Sequence, residues 1–123
     1  MLTNDFFYIK TMQSQDGKID ALIQIDAAHK IFEGHFPGQP VVPGVCMMQM
    51  IKEILEQDLG KKTQLTVADQ LKFLTLIDPT QTNSIQSELK YSTGEDGGIH
   101  LTAQLYNEAV IYFKMKASFV VTD

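Results

Sequence analysis

The chain has no arginine: all ten of its basic residues are lysine. Phosphate recognition favours the forked guanidinium, and nucleic-acid binding favours a basic surface. With a formal net charge of −5, that absence argues against a nucleic-acid partner. An acidic protein partner would need a local lysine patch, which overall charge does not describe. Cysteine occurs once, as Cys46 among apolar residues. An intramolecular disulfide is therefore excluded, and a cysteine-based zinc site does not fit. No apolar run approaches the roughly 20 residues of a membrane span. The opening residues Met1-Leu2-Thr3-Asn4-Asp5 lack the basic stretch and apolar core of a secretory signal, so the expected location is the cytoplasm. Proline is scarce too, with four in 123 residues, yet three of them stand close together as Pro37, Pro40 and Pro43.

What is present describes one domain, residues 1–123, with an apolar fraction of 44% and a modest core. Phe6 to Gln13 is aromatic and β-branched enough for a strand. Asp16-Gly17 is a hairpin turn signal. Lys18 to Ile25 alternates with period two, placing Ile19, Ala21, Ile23 and Ile25 on one face. Asp26 to Glu33 is a short irregular connection whose His29 is expected to be exposed. A helix is expected from Val45 to about Leu59, stopped by Gly60 and followed by Lys61 and Lys62, which suit the negative end of its dipole. Its first two turns are apolar except at Gln49, so it should be buried nearly all round at its start and solvated towards its end. Gln49, Lys52, Glu53 and Glu56 share one polar stripe. Its methionines suit either core filling or a soft wall against a flexible chain.

Beyond the helix, Gln64 to Ile77, Ser84 to Ser92, Ile99 to Asn107 and Ala109 to Val121 read as extended. They are separated by Asp78-Pro79, the Gly94 to Gly98 turn and Asn107-Glu108. In the last of them Val110, Tyr112, Lys114 and Lys116 alternate with Ile111, Phe113, Met115 and Ala117. His100 is expected on the surface. Propensity alone yields an α+β domain with an antiparallel sheet. One sheet of this size covers a largely apolar helix incompletely, which favours a dimer.

Between these elements lies the stretch Gly34-His35-Phe36-Pro37-Gly38-Gln39-Pro40-Val41-Val42-Pro43-Gly44-Val45. Each proline fixes φ and removes a donor. Each also pushes the residue before it out of the α region. The result is a stiff extended loop with His35 at its mouth, running directly into the helix. A lone histidine has a structural use as readily as a chemical one, and prolines at this spacing also occur in polyproline ligands. The second use suits a disordered tail better than a loop entering apolar sequence.

From His35 to Val45 the stretch resembles the hot-dog-fold 3-hydroxyacyl-acyl-carrier-protein dehydratases, whose hallmark is His-Phe-Pro-Gly-x-Pro-x-x-Pro-Gly-Val leading into a central helix. The resemblance implies an antiparallel sheet wrapped around one long helix, and a homodimer or larger assembly of dimers. It implies a hydro-lyase acting on (3R)-hydroxyacyl chains held on acyl carrier protein, with neither cofactor nor metal. Phe36, Pro37, Gly38, Val45 and Met48 would line the substrate. The chain departs from the family at one position, where an acidic residue, usually Glu, is replaced by Gln49.

Dehydration needs a base for the proton beside the thioester carbonyl, stabilisation of the enolate-like charge, and an acid for the departing hydroxyl. His35 suits the first task, because imidazole titrates near working pH. The backbone N–H of Gly44, at the start of the helix, suits the second. In the family the third falls to the acidic residue, reached across the dimer interface, and a carboxamide at position 49 supplies no proton at neutral pH. Four readings follow. His35 serves as both base and acid, with water oriented by Gln49. Alternatively Glu53, one turn further along, substitutes as the acid. A third reading is another acyl-thioester activity, such as a thioesterase or isomerase. The fourth is a non-catalytic or half-site subunit paired with an active paralogue.

Overall fold

The computed structural model describes residues 1–33, 40–82 and 84–122. Its elements run β1 (Phe7–Gln15), β2 (Lys18–Ile25), a 3-10 turn (Lys30–Phe32), α1 (Gly44–Leu59), β3 (Thr63–Phe73), β4 (Ser84–Thr93), β5 (Ile99–Asn107) and β6 (Val110–Val121). The strands form one six-stranded antiparallel sheet in the order β1-β2-β4-β5-β6-β3. The element order matches the expectation, and β2 and β5 have the expected bounds. Period-two alternation is a local property, and in β2 it turns Ile19, Ala21, Ile23 and Ile25 inward while Lys18 and Asp20 face water. At the β1–β2 turn Asp16 and Gly17 both take positive φ, 52° and 81°, which matches the twist of a two-residue hairpin.

Helix α1 begins directly after Pro43, an extended residue whose carbonyl accepts from Cys46 and Met47 N–H. It stops at Gly60, where φ is +68° and the N–H bonds back to the Glu56 carbonyl. Met50, Ile51, Ile54 and Leu55 are fully buried against the inward residues of the sheet, including Ile23, Ile85, Leu89, Leu105 and Phe113. Two of its carboxylates tie it to the strands beyond. Glu56 accepts from the Thr63 N–H and hydroxyl at the start of β3. Asp58 accepts from the Tyr91 hydroxyl of β4 at 2.6 Å, and that bond, with some burial, pushes the Tyr91 phenol up to about 12.

Four expectations are corrected. The helix start is not buried all round: Val45 is 70% exposed. Its polar stripe is not uniformly solvated either, since Glu53 is only 2% exposed. His29 is not free in water: Nδ1 accepts from Ile31 N–H, Nε2 lies 3.2 Å from Asp5 Oδ2, and the ring stands edge-on to Phe6. The simple alternation in β6 fails at Tyr112, which is buried beside Phe113 because a bulge opposite Leu105 and Tyr106 inserts one extra residue.

That bulge has a use. The Tyr112 carbonyl accepts from both Leu74 and Thr75 N–H, so the expected extension to Ile77 ends as a strand at Phe73. The next residues turn across the start of the helix, and Val42 N–H bonds to the Ile77 carbonyl.

The β1–β2 hairpin joins β4 along the ladder from Lys18 to Gln24, and at its turn Gly17 O accepts from Tyr91 N–H. A Cβ on Gly17 would lie 2.5 Å from the Tyr91 carbonyl oxygen, at a φ that side chains rarely adopt. Gly17→Ala is expected to destabilise the domain by about 1–3 kcal/mol, measured as a lowered denaturant midpoint at unchanged slope.

Candidate functional site

Pro43, in an extended conformation, leads the chain into Gly44, the first residue of α1. A first helical residue has no intrahelical acceptor for its N–H, and the helix dipole places partial positive charge there. The approach to Gly44 is close: a Cβ there would lie 2.7 Å from Cε1 of Phe73 and push that ring aside. The Phe73 ring stacks on Phe113 at 4.9 Å between centroids and remains half exposed. Around this point Val41, Gly44, Met47, Phe73, Leu74, Thr75 and Leu76 line a mostly apolar pocket of about 520 Å³. The β6 bulge and the Val42–Ile77 bond therefore build two of its walls.

Of the residues singled out from sequence, Gly44 lines this pocket. Met48 is half-buried on the helix, and Val45 points outward. His35, Phe36, Pro37 and Gly38 lie outside the described residues. Met47, Phe73, Leu74 and Leu76 were not singled out, although exposed Phe73, Leu74 and Leu76 form one apolar run that ends a strand. A sequence signal existed in that run, Phe73-Leu74-Thr75-Leu76-Ile77, but its period could not say which side chains face a cavity. Cys46 is buried, and burial pushes its thiol up, away from the reactive thiolate. Among the described residues no three His, Cys, Asp or Glu side chains gather as a metal-ligand set.

Gln49 does not line the Gly44 pocket of its own chain. Five residues along a helix is about 140° around it, which places Gln49 on another face. There its Nε2 donates to Oε2 of Glu53 at 2.8 Å. The same carboxylate accepts from Leu2 N–H, from Thr3 N–H at 2.8 Å and from the Thr3 hydroxyl. Burial pushes the Glu53 carboxyl up, but the Thr3 hydroxyl, Leu2 N–H, Gln49 amide and Thr3 N–H together outweigh it. The net direction is below the ordinary value. A carboxyl so held is ionised at neutral pH and has no proton to give. The geometry thus sets Glu53 to anchor the chain's first residues on the helix, and speaks against it as a replacement acid.

Comparison with known proteins places these features. The model of the ApeI-like family, ApeI dehydratase, matches residues 11–114. The 3-hydroxyacyl-acyl-carrier-protein dehydratase FabZ of Oceanobacillus iheyensis is 29% identical over 119 residues, covering 87% of this chain and 85% of its own. That of Acetivibrio thermocellus is 31% identical over 100 residues, covering 75% and 68%. Among solved structures, the dehydratase heterocomplex ApeI:P from Xenorhabdus doucetiae superposes with a TM-score of 0.67 at 18% identity, over 91% of this chain and 96% of that one. The (R)-hydratase from A. caviae involved in PHA biosynthesis superposes with a TM-score of 0.68 at 16% identity, over 89% and 99%. The six-stranded sheet with its single helix is the hot-dog fold.

The Glu53 anchor has a pH signature. Because the folded carboxyl lies below its ordinary value of 4.5, its contribution is fully present above that value and is lost as pH falls through the lowered folded value. Glu53→Gln leaves several donors without their acceptor and should cost about 1–3 kcal/mol at neutral pH. Thermal midpoints of the two proteins should differ by a constant amount above the ordinary glutamate range and converge in acid. A gap that persists unchanged in acid would show that the carboxylate charge is not what the anchor uses.

Proposed function

Because this chain belongs to the ApeI-like dehydratase family, we propose that it removes water from a (3R)-hydroxyacyl thioester on acyl carrier protein, giving a trans-2-enoyl thioester in fatty-acid, related lipid or polyene synthesis. The observation that carries the reading is the site at Gly44. There, within the His35–Val45 signature, a helix begins at the wall of an apolar pocket with a first residue whose backbone N–H has no intrahelical acceptor. The pocket suits an acyl chain, and the helix start suits the negative charge that develops on a thioester oxygen. The named relatives FabZ act on acyl-carrier-protein substrates.

The chemistry follows from residues in hand. His35 takes the proton from the carbon next to the carbonyl, and the pair left behind becomes the new carbon–carbon double bond. The C3–O bond breaks with its electrons on oxygen, and the imidazolium returns the proton so that water departs. One residue then works as base and acid, because position 49 carries an amide.

The site is completed by a second subunit. Strand β3 is an edge strand of eleven residues, largely exposed, with Val67, Phe73, Leu74 and Leu76 at least half exposed along and just beyond it. A long edge with apolar side chains is a template for pairing. Pairing two chains there, with the signature loop included in the interface, brings Gln49 of one chain towards the partner's pocket. A half-site role within a mixed pair is the second reading. It is favoured by the amide at position 49 and by the neighbour described as the dehydratase heterocomplex ApeI:P.

Three measurements test this. Sedimentation should give a dimer at micromolar concentration, and a monomer would count against the shared site. Purified protein should dehydrate 3-hydroxyacyl thioesters, and His35→Ala should abolish that activity. Gln49→Glu should raise turnover at least tenfold, within the ~10²–10⁴ that general acids supply. The new carboxyl would stand where Nε2 now meets Glu53 at 2.8 Å, and two carboxylates so close must share a proton at neutral pH. If both wild type and Gln49→Glu bind such thioesters and turn over none, the half-site reading replaces the dehydratase.

A further inference from the structure

The reaction proposed above leaves open which end of the Gln49 amide meets the substrate, and this inference rests on that reading for its chemistry. A carboxamide is two-faced: Nε2 donates and Oε1 accepts, and the free side chain can rotate to present either. Here the rotation is decided from inside the fold. Glu53 is a carboxylate, so it can only accept. It is 2% exposed, and its orientation is fixed by Leu2 N–H, Thr3 N–H and the Thr3 hydroxyl, all fifty or more residues away in sequence. Facing that anion, Gln49 can only present Nε2, which donates at 2.8 Å across one helical turn. Turning the amide over would set Oε1 against a buried carboxylate.

We propose that Glu53 is a positioning residue for Gln49: it holds the carboxamide with Nε2 inward, so that Gln49 meets the 3-hydroxyl of the substrate as a hydrogen-bond acceptor through Oε1. The consequence for the elimination is specific. An acceptor takes the hydrogen of the leaving hydroxyl and turns a lone pair of its oxygen outward. That lone pair receives the proton carried by the His35 imidazolium, and water leaves. With the amide reversed, Nε2 would instead occupy the lone pair and compete with that proton. The N-terminal residues Leu2 and Thr3 thereby become part of the active-site architecture without touching substrate.

A double-mutant cycle with a separate spectroscopic arm tests the assignment. In the wild-type background Glu53→Gln should lower kcat by about tenfold or more with KM little changed, a misorientation effect. In a Gln49→Leu background, already slow, the same change should alter kcat by less than about twofold, because its route to the chemistry is gone. A merely structural Glu53 would lower kcat by equal factors in both backgrounds, and that result overturns the proposal. The second arm needs no turnover. The side-chain amide of Gln49 in the ¹⁵N-labelled full chain, assigned by its loss in Gln49→Leu, should show a hydrogen-bonded NH2 resonance that shifts in Glu53→Gln to the free-carboxamide position. An NH2 already at the free position and indifferent to Glu53→Gln overturns the positioning role. If wild type shows no dehydration, the proposed reaction fails, and the amide resonance still decides whether Glu53 sets the orientation of Gln49.

Discussion

Everything in this domain depends on burying one face of a single helix against one curved sheet. Met50, Ile51, Ile54 and Leu55 have no exposed surface, and each such side chain contributes about 1.5–3 kcal/mol relative to leaving it in water. The sheet must therefore present an unbroken apolar floor. Inward residues of β2, β4, β5 and β6 provide it, and the turns keep those strands in register. The chain reverses with positive φ at Asp16-Gly17, Gly97 and Glu108 in the three hairpins, and at Gly60 after the helix.

Apolar burial sets which face of the helix turns inward, and carboxylates tie it to particular neighbouring segments. Glu53 takes the first residues of the chain, Glu56 the start of β3, and Asp58 the Tyr91 hydroxyl of β4. A buried carboxylate costs several kcal/mol unless its oxygens are satisfied. Among the described residues Glu53 is satisfied by main-chain, hydroxyl and amide donors, with no cation beside it. The same anchoring that locks the helix also locks the amide one turn before it, which links stability to the arrangement of the proposed site.

The pocket and the strand edge share one cause. Strand β3 leaves the end of the helix, crosses to the far side of β6, and returns at Phe73 beneath the helix start. The Tyr112 bulge then catches Leu74 and Thr75 and turns them across Gly44. One strand thus supplies both the free edge that a second chain would use and the apolar wall beside the first residue of the helix.

The sequence by itself determined the elements and the family. Alternation in Lys18–Ile25 and Ile99–Asn107, Pro43 before the helix and Gly60 after it are signals read within a few residues, and the strands and helix fall where those signals stand. The spacing from His35 to Val45 was enough to point to the dehydratases, because several fixed residue types at fixed separations rarely coincide. Tertiary structure alone decided the rest. Glu53 belonged by its period to a solvated stripe, and it is buried because residues some fifty positions earlier fold over it. Val45 belonged to an apolar turn and is exposed. Tyr112 faced outward by alternation and is turned in by a bulge that depends on the pairing of two strands. Helical and strand periods assign a residue to a face, whereas the burial of that face depends on the distant segment packed against it.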